Sequence, residues 1–443
     1  MATLAIVPPD IKEQRSYVPP VPHSLEEAQV SPTQVEALLL KVLYLEGEVL
    51  GRDLSHRLGL KFSLIADTLS ALRQNKLISV KRSLGMGDVS SVFCLSAVGI
   101  ELAQAALAKN QYAGRAPVTL SQYTQAVLAQ KHRENWLTSA ALRNAYKNMI
   151  VGEKVLSQIG PAVNAGKSLL IYGQPGNGKT FLAEALLKIE SMDIFVPYAI
   201  EFQGQIIRVF DAAYHQPIEE PAAANELAYD DPYDARWVRC RPPFITTGGE
   251  LTLGMLDLSY DTHTKIYDAP YQMKANNGIY LVDDFGRQRV TPVEVLNRWI
   301  IPMERRIDYL SFATGGKMTV PFEAFLVFST NLTPERLGDE AFLRRIQYKM
   351  HLKNPDREEF VQLFFHAAKA RNLSPAREMV DVFIEKHYVK TGKRQRRCHP
   401  RDIMSHAVDL LHFERMPYEL THDVLDHAFE SCFGDSGADE EIQ

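Results

Sequence analysis

The run Gly173-Gln174-Pro175-Gly176-Asn177-Gly178-Lys179-Thr180 fits G-x-x-x-x-G-K-[ST] at every fixed position. These residue types suit the cradling of a phosphate. Gly173, Gly176 and Gly178 let the backbone curl and turn its N–H groups inward. A helix that starts just after such a loop adds its positive end. Lys179 supplies a point charge suited to the outer phosphates of a nucleoside triphosphate, and Thr180 supplies a hydroxyl suited to Mg²⁺.

Such a loop needs a strand before it and a helix after it. Ser168 to Tyr172 reads as a buried strand, and Phe181 to Ile189 as a helix with Leu182, Leu186 and Leu187 on one face. Further on, Gly278-Ile279-Tyr280-Leu281-Val282-Asp283-Asp284 is an apolar strand that ends in two carboxylates. Downstream of a phosphate loop, Asp283 suits Mg²⁺ held through water. The strand's resemblance to a Walker B motif implies that Asp284 polarises an attacking water. A second apolar strand, Phe325 to Thr330, ends in the amide Asn331. A hairpin signal precedes it, with Asp308 to Phe312 and Met318 to Pro321 flanking Gly315-Gly316. Asp339-Glu340-Ala341-Phe342-Leu343-Arg344-Arg345 and His399-Pro400-Arg401-Asp402-Ile403 follow.

In this order and spacing, the motifs over about 151–434 resemble an AAA+ ATPase. The phosphate loop corresponds to Walker A and Asp283-Asp284 to Walker B, with Asp284 where most relatives carry Glu. Asn331 corresponds to sensor 1, and Arg344 or Arg345 to the arginine finger. Arg401 corresponds to sensor 2. The hairpin before Asn331 is similar to that of the clade holding MoxR-type ATPases, magnesium chelatase and bacterial enhancer-binding activators. The resemblance implies a parallel α/β sheet with flanking helices over 151–352 and a helical lid over 353–434. It implies ATP and Mg²⁺ as cofactors and a homo-oligomeric ring, most often a hexamer, in which an arginine completes the neighbour's site. It also implies that the segment at Ile150-Val151 lies against adenine, an alternative to plain packing.

Residues 1–30 carry Pro8-Pro9, Pro19-Pro20 and Pro22 and read as a flexible arm. Residues 31–109 read as three helices, a two-stranded wing and a closing helix. This pattern resembles a winged helix-turn-helix, and Phe93-Cys94-Leu95-Ser96 up to Gly99 is similar to the strand-to-helix join of bacterial members. Basic and acidic side chains nearly balance there, and Ser63, Asp67, Ser70 and Arg73 of the third helix, the candidate recognition helix, are a poor set for base edges. Docking to a protein and binding to DNA both remain open, with docking ahead. Residues 110–150 read as a connector with a helix from Ser121 to Lys131. An insertion near 190–278 includes a hairpin around Gln203-Gly204 and a Pro-rich loop over 212–242. Lys393 to Arg397 is a basic run that reads as a solvated loop in preference to a contact with nucleic acid, and 435–443 reads as an acidic tail.

The chain has 443 residues, a net charge of −5 and 46 % hydrophobic residues, ordinary values for a soluble globular protein. Cys94, Cys240, Cys398 and Cys432 are scattered without ligand spacing, which suits a reducing compartment. No apolar run reaches the ~20 residues of a membrane span, and no signal peptide is evident, so the expected place is the cytoplasm. Three jobs fit these features. One is a MoxR-like remodeller of a protein client, recruited through 31–109. Another is a DNA-associated motor or transcription regulator. The third is a nucleotide-gated scaffold without hydrolysis. An enhancer-binding activator fits less well, because no "GAFTGA"-type loop is visible between 181 and 278.

Overall fold

Ser31 and Gln34 start the first long helix, Pro32–Glu46, by capping each other's backbone N–H groups, with Pro32 at the position where a missing N–H costs nothing. The computed structural model describes residues 17–132, 136–189, 191–219, 232–338 and 343–434. Expectations for residues 1–16 of the arm, 220–231 of the long loop, Asp339 to Phe342 and the acidic tail lie outside the described residues. The chain divides into two compact units. The first holds residues 1–136, 191–281 and 288–326, and the second holds 137–190, 282–287 and 327–443.

In the first unit, helices Pro32–Glu46, Gly51–Leu58 and Phe62–Gln74 precede strands Ile78–Ser83 and Ser91–Leu95 and a closing helix Ala97–Lys109. A short strand, Val49–Leu50, pairs antiparallel with Ser91–Leu95 and makes a three-stranded sheet, a pairing too short to read from sequence. The second hairpin strand starts at Ser91, because Asp88–Ser90 closes a tight helical turn first. Val35, Leu38, Leu39, Leu54, Ile65, Leu69 and Phe93 fill the core between these elements. At Gly99 a Cβ would lie 2.0 Å from the Leu77 carbonyl, so only glycine lets the closing helix approach the hairpin.

The insertion is a β-rich layer in the same unit. Its five-stranded sheet runs Ser259–Asp261, Ile266–Asp268, Gln205–Arg208, Ala199–Phe202 and Val118–Thr119. The hairpin around Gln203-Gly204 forms as the sequence suggests. Both turn residues take positive φ, 52° and 78°, which gives the twist that matches the flanking strands. Inside the 212–242 stretch, Trp237–Cys240 pairs antiparallel with Ile194–Pro197, so part of the expected surface loop is strand. Its Pro-rich flank hides the short apolar run in the sequence. The helix expected from Ser121 runs from Leu120 to Ala129, capped by Thr119 and Gln122. It is more than a connector, since Tyr123, Ala126 and Val127 enter the β-layer core with Ile200, Ile207, Trp237 and Leu310. The hairpin of Ile307–Ser311 and Lys317–Pro321 adds to the same core.

The second unit is built around the strand Leu169–Tyr172. Val327 to Thr330 pairs with it in parallel on one side, and Tyr348–His351 pairs in parallel on the other. This is an α/β arrangement with a parallel sheet. Helices Ser139–Ala145 and Glu153–Ala165 precede the strand, and Lys179–Glu184 follows it. The C-terminal part is a helical bundle of Arg357–Lys369, Arg377–Ile384, His399–Phe413 and His422–Phe433. Its core holds Phe360, Phe364, Phe383, Ile403, Leu411 and Phe429. The four cysteines are free thiols.

The first unit contains a buried ion pair with no counterpart in the sequence reading. Arg236 is 1 % exposed; its Nη2 donates to Asp234 Oδ2 at 2.7 Å and its Nη1 to the Ala28 carbonyl at 2.7 Å. Arg236→Ala leaves the Asp234 carboxylate buried without its partner, a loss expected to cost about 3–5 kcal/mol. Chemical denaturation of the purified chain checks this. A change under about 0.5 kcal/mol, the level of an ordinary surface substitution, would contradict it.

Candidate phosphate-binding site

The site forms at the ends of the parallel strands in the second unit. Gly173 follows Tyr172 directly, and its N–H donates to the Thr330 carbonyl at 3.3 Å. Phe285 N–H donates to the Ser329 carbonyl at 2.7 Å, and Thr330 Oγ1 donates to the Phe285 carbonyl at 2.6 Å. These bonds bring Asp283-Asp284 and Asn331 up to the loop.

Two loop positions admit no side chain, which matches the glycine demand of the pattern. A Cβ at Gly173 would lie 2.3 Å from the Leu352 carbonyl, and one at Gly176 would lie 2.6 Å from Cys398 Sγ. Gly178 has φ 81° and faces open space, where a Cβ would intrude on anything bound against the loop. The helix begins at Lys179, with Gly178 at its cap. That helix is shorter than expected, ending at Glu184 and tightening through Ala185–Lys188. Leu182 and Leu186 are buried as expected, whereas Leu187 is exposed, because the tighter turn rotates it away from the core. Ala183 and Ala185 fill the face instead.

Lys179 is 6 % exposed, and its Nζ donates to the carbonyls of Gly173 at 3.0 Å and Gln174 at 3.1 Å and to Asn331 Oδ1 at 2.6 Å. Burial pushes its ammonium below the ordinary lysine range, while Asp284 and Asp283 pull it back and Arg287 opposes them. Asn331 Nδ2 in turn donates to Asp284 Oδ1 at 3.1 Å. Thr180 Oγ1 donates to Asp283 Oδ2 at 2.8 Å, which sets two hard oxygens side by side. Mg²⁺ prefers such a site, since it takes few protein oxygens and keeps several waters. Lys179, Thr180, Asp283, Asp284 and Asn331 are therefore one connected polar cluster drawn from three separate stretches.

Asp284 sits at φ 46°, a left-handed conformation, with its N–H on Asp283 Oδ1 at 3.0 Å. Asp and Asn tolerate that conformation better than longer side chains, which is a physical reason for Asp here.

Gln174 and Pro175 lie on the exposed outer side of the loop, and Asn177 is 1 % exposed beneath it. Ile150 and Val151 are half-buried, and the Ile150 carbonyl accepts from Arg397 Nη1 at 2.9 Å. Arg344 is exposed; Arg345 is half-buried, and its carbonyl accepts from Ser168 Oγ at 3.3 Å. The Arg401 side chain is 72 % exposed, and its Nε donates to Asp402 Oδ1 at 3.0 Å. It is not drawn into the Lys179 cluster, as its helix turns it outward. The segment just before that helix touches the loop instead. Cys398 N–H donates to the Gly176 carbonyl at 2.9 Å, and Arg396 Cδ lies 3.6 Å from a Cβ placed at Gly176. Sequence reading assigned Lys393 to Arg397 to solvent. The half-burial of Arg396 and Arg397 corrects that for the end of the run. The nearest sequence signal was the run's place directly before the Pro-started helix.

Residues 356–431 match a family described as a domain of unknown function, DUF8689. No curated protein matches the chain. Among solved structures, the chain is similar to the RuvB Holliday junction branch migration motor of Thermotoga maritima. The identity is 14 %, over 68 % of this chain and 76 % of that one, with a TM-score of 0.38. It is also similar to NtrX from Brucella abortus, at 14 % identity over 77 % of this chain and 68 % of that one, with a TM-score of 0.39. Likeness at that level carries no information on activity or partner.

The left-handed backbone at Asp284 yields a direct expectation. Asp284→Glu should lower stability by about 1 kcal/mol, because a longer side chain fits the left-handed conformation less well than Asp. Denaturant unfolding checks this. A midpoint equal to wild type would show that the conformation is not strained.

Proposed function

We propose that the chain is an Mg-ATP-hydrolysing ring ATPase of the AAA+ kind that acts on a protein partner. The observation that carries this reading is the hydrogen-bonded series Lys179–Asn331–Asp284, beside the Thr180–Asp283 pair. A phosphate-binding lysine, a cation pair and a polar amide next to a carboxylate are what attack by water on a terminal phosphate requires. The donor set fits the group: hard oxygens for Mg²⁺, an ammonium and a helix start for the phosphates, and glycines where a Cβ would obstruct. Bound Mg-ATP would supply the scissile phosphoanhydride and a cation that neutralises its charge.

The roles then follow from position. Lys179 faces the phosphates and gives up its carbonyl partners to do so. Thr180 and Asp283 hold the cation. Asn331 links Lys179 to Asp284 and orients the water that Asp284 polarises. Arg344, exposed near the end of the sheet strands, is the better finger for a neighbouring subunit than Arg345, whose side chain is half-buried. A group that serves the next protomer has to be free of its own, so a ring, most often six-membered in this kind of ATPase, is part of the proposal.

The helical module of residues 31–109 has the element order of a winged helix, and its charges favour a protein over DNA. Arg57 pairs with Glu46 at 2.9 Å, Arg73 with Asp88 at 3.1 Å, Arg52 with Asp53 at 3.6 Å, and Lys81 with Glu48. Cations already matched to carboxylates release few counterions from a duplex, so electrostatic affinity for DNA is low. The reading as a non-hydrolysing scaffold rests on Asp284 in place of Glu, and the turnover assay below decides against it or for it.

Lys179→Ala should abolish ATP binding in an equilibrium assay. Asp283→Asn should keep binding while turnover falls by at least about a hundredfold. Wild-type turnover in both variants would sink the assignment. Turnover per chain should also rise with protein concentration, in step with particle mass from light scattering, as sites complete one another. Binding without turnover, by a protein that stays monomeric, would instead favour the scaffold.

A further inference from the structure

The phosphate pattern leaves Asn177 free, yet it is the loop's most buried polar residue, at 1 % exposed. Its Nδ2 donates to Asn354 Oδ1 at 2.8 Å, and its Oδ1 accepts from the Arg397 N–H at 3.4 Å. The next residue, Cys398, donates its N–H to the Gly176 carbonyl at 2.9 Å. The Arg397 side chain is 13 % exposed, and its guanidinium makes two hydrogen bonds. It donates through Nη1 to the Ile150 carbonyl and through Nη2 to Glu359 Oε2, each at 2.9 Å. Its Nε is buried without a hydrogen-bond partner. Burying an arginine with one donor unmatched is costly, so its position needs a reason beyond solubility.

Arg397 thus joins three stretches: the middle of the loop, the segment before helix Glu153–Ala165, and the first helix of the C-terminal bundle through Glu359. The loop's hold on a phosphate depends on backbone N–H groups staying aimed, and a loop already held in shape loses less entropy on binding. We propose that Arg397, acting with Asn177, is a positioning residue for nucleotide: it bolts the phosphate loop to the C-terminal helices. Filling the loop and ordering residues 396–398 are then one linked event. This rests on the nucleotide reading of the loop given above. Linkage makes the effect reciprocal, so nucleotide strengthens the bolt by as much as the bolt strengthens nucleotide.

The test uses the full chain with Mg-ADP as the probe, reading dissociation constants and amide exchange at Arg397 and Cys398. In the wild type, Mg-ADP should slow exchange of both amides. Arg397→Gln should raise the dissociation constant about tenfold and abolish that slowing. Arg397→Lys should recover part of the affinity, since a cation again faces Glu359. The effect should fall on KM rather than on kcat. Unchanged affinity in Arg397→Gln, or slowing that persists there, overturns the proposal. So does an equal drop in melting temperature in the Gln and Lys variants without any change in nucleotide affinity, which marks a purely structural bond. Lys179→Ala separates the two layers. If the wild type binds Mg-ADP and Lys179→Ala does not, a null result at Arg397 overturns the bolt alone. If the wild type binds none, the nucleotide reading of the loop fails and the positioning role falls with it.

Discussion

Everything in the site depends on one buried ammonium. Lys179 sits almost wholly out of water and is held by two loop carbonyls and the Asn331 amide. A buried charge is tolerated only with such partners. Its direct partners are carbonyl and amide oxygens rather than a carboxylate, so the ammonium is held without being neutralised by an ion pair. The parallel pairing of Leu169–Tyr172 with its two neighbours brings those partners into range. Glycines at 173 and 176 follow from the same constraint, since the loop must close around the ammonium while pressed against Leu352 and Cys398.

The acidic side of the cluster obeys a different constraint. Asp283 accepts from Thr180 and from the backbone of Asp284, and these two bonds fix its orientation. Asp284 reaches Asn331 only because its backbone turns left-handed. Polar contacts thus run continuously from Lys179 to Asp284, and the amide of Asn331 is the joint.

In the first unit, electrostatics is spent inwardly. The Arg236–Asp234 pair is buried, and surface cations of the helical module pair with carboxylates nearby. Exposed pairs add little stability, but they lower the positive field that a nucleic acid would need. Leu84 and Met86 at the hairpin tip are exposed.

Local sequence determined the parts whose physics is local. The loop Gly173 to Thr180 was legible as a candidate phosphate cradle because glycine, lysine and threonine at fixed spacing have few other uses. The strands ending in Asp283-Asp284 and Asn331 were legible as apolar runs with polar ends. The Gln203-Gly204 turn was legible from turn chemistry, and the C-terminal helices were expected from the resemblance. Tertiary structure decided what depends on distant partners. The strand Trp237–Cys240 exists because Ile194–Pro197 pairs with it. Leu187 is exposed because the helix tightens at Ala185. Arg401 points to solvent, whereas Arg397 and Cys398 press on the loop, since the bundle's packing sets which side of the helix start faces Gly176. No pattern within a few residues carries that information, because the contacts of Asn177 with Arg397 and Asn354 are made between stretches remote in sequence and close only in the fold.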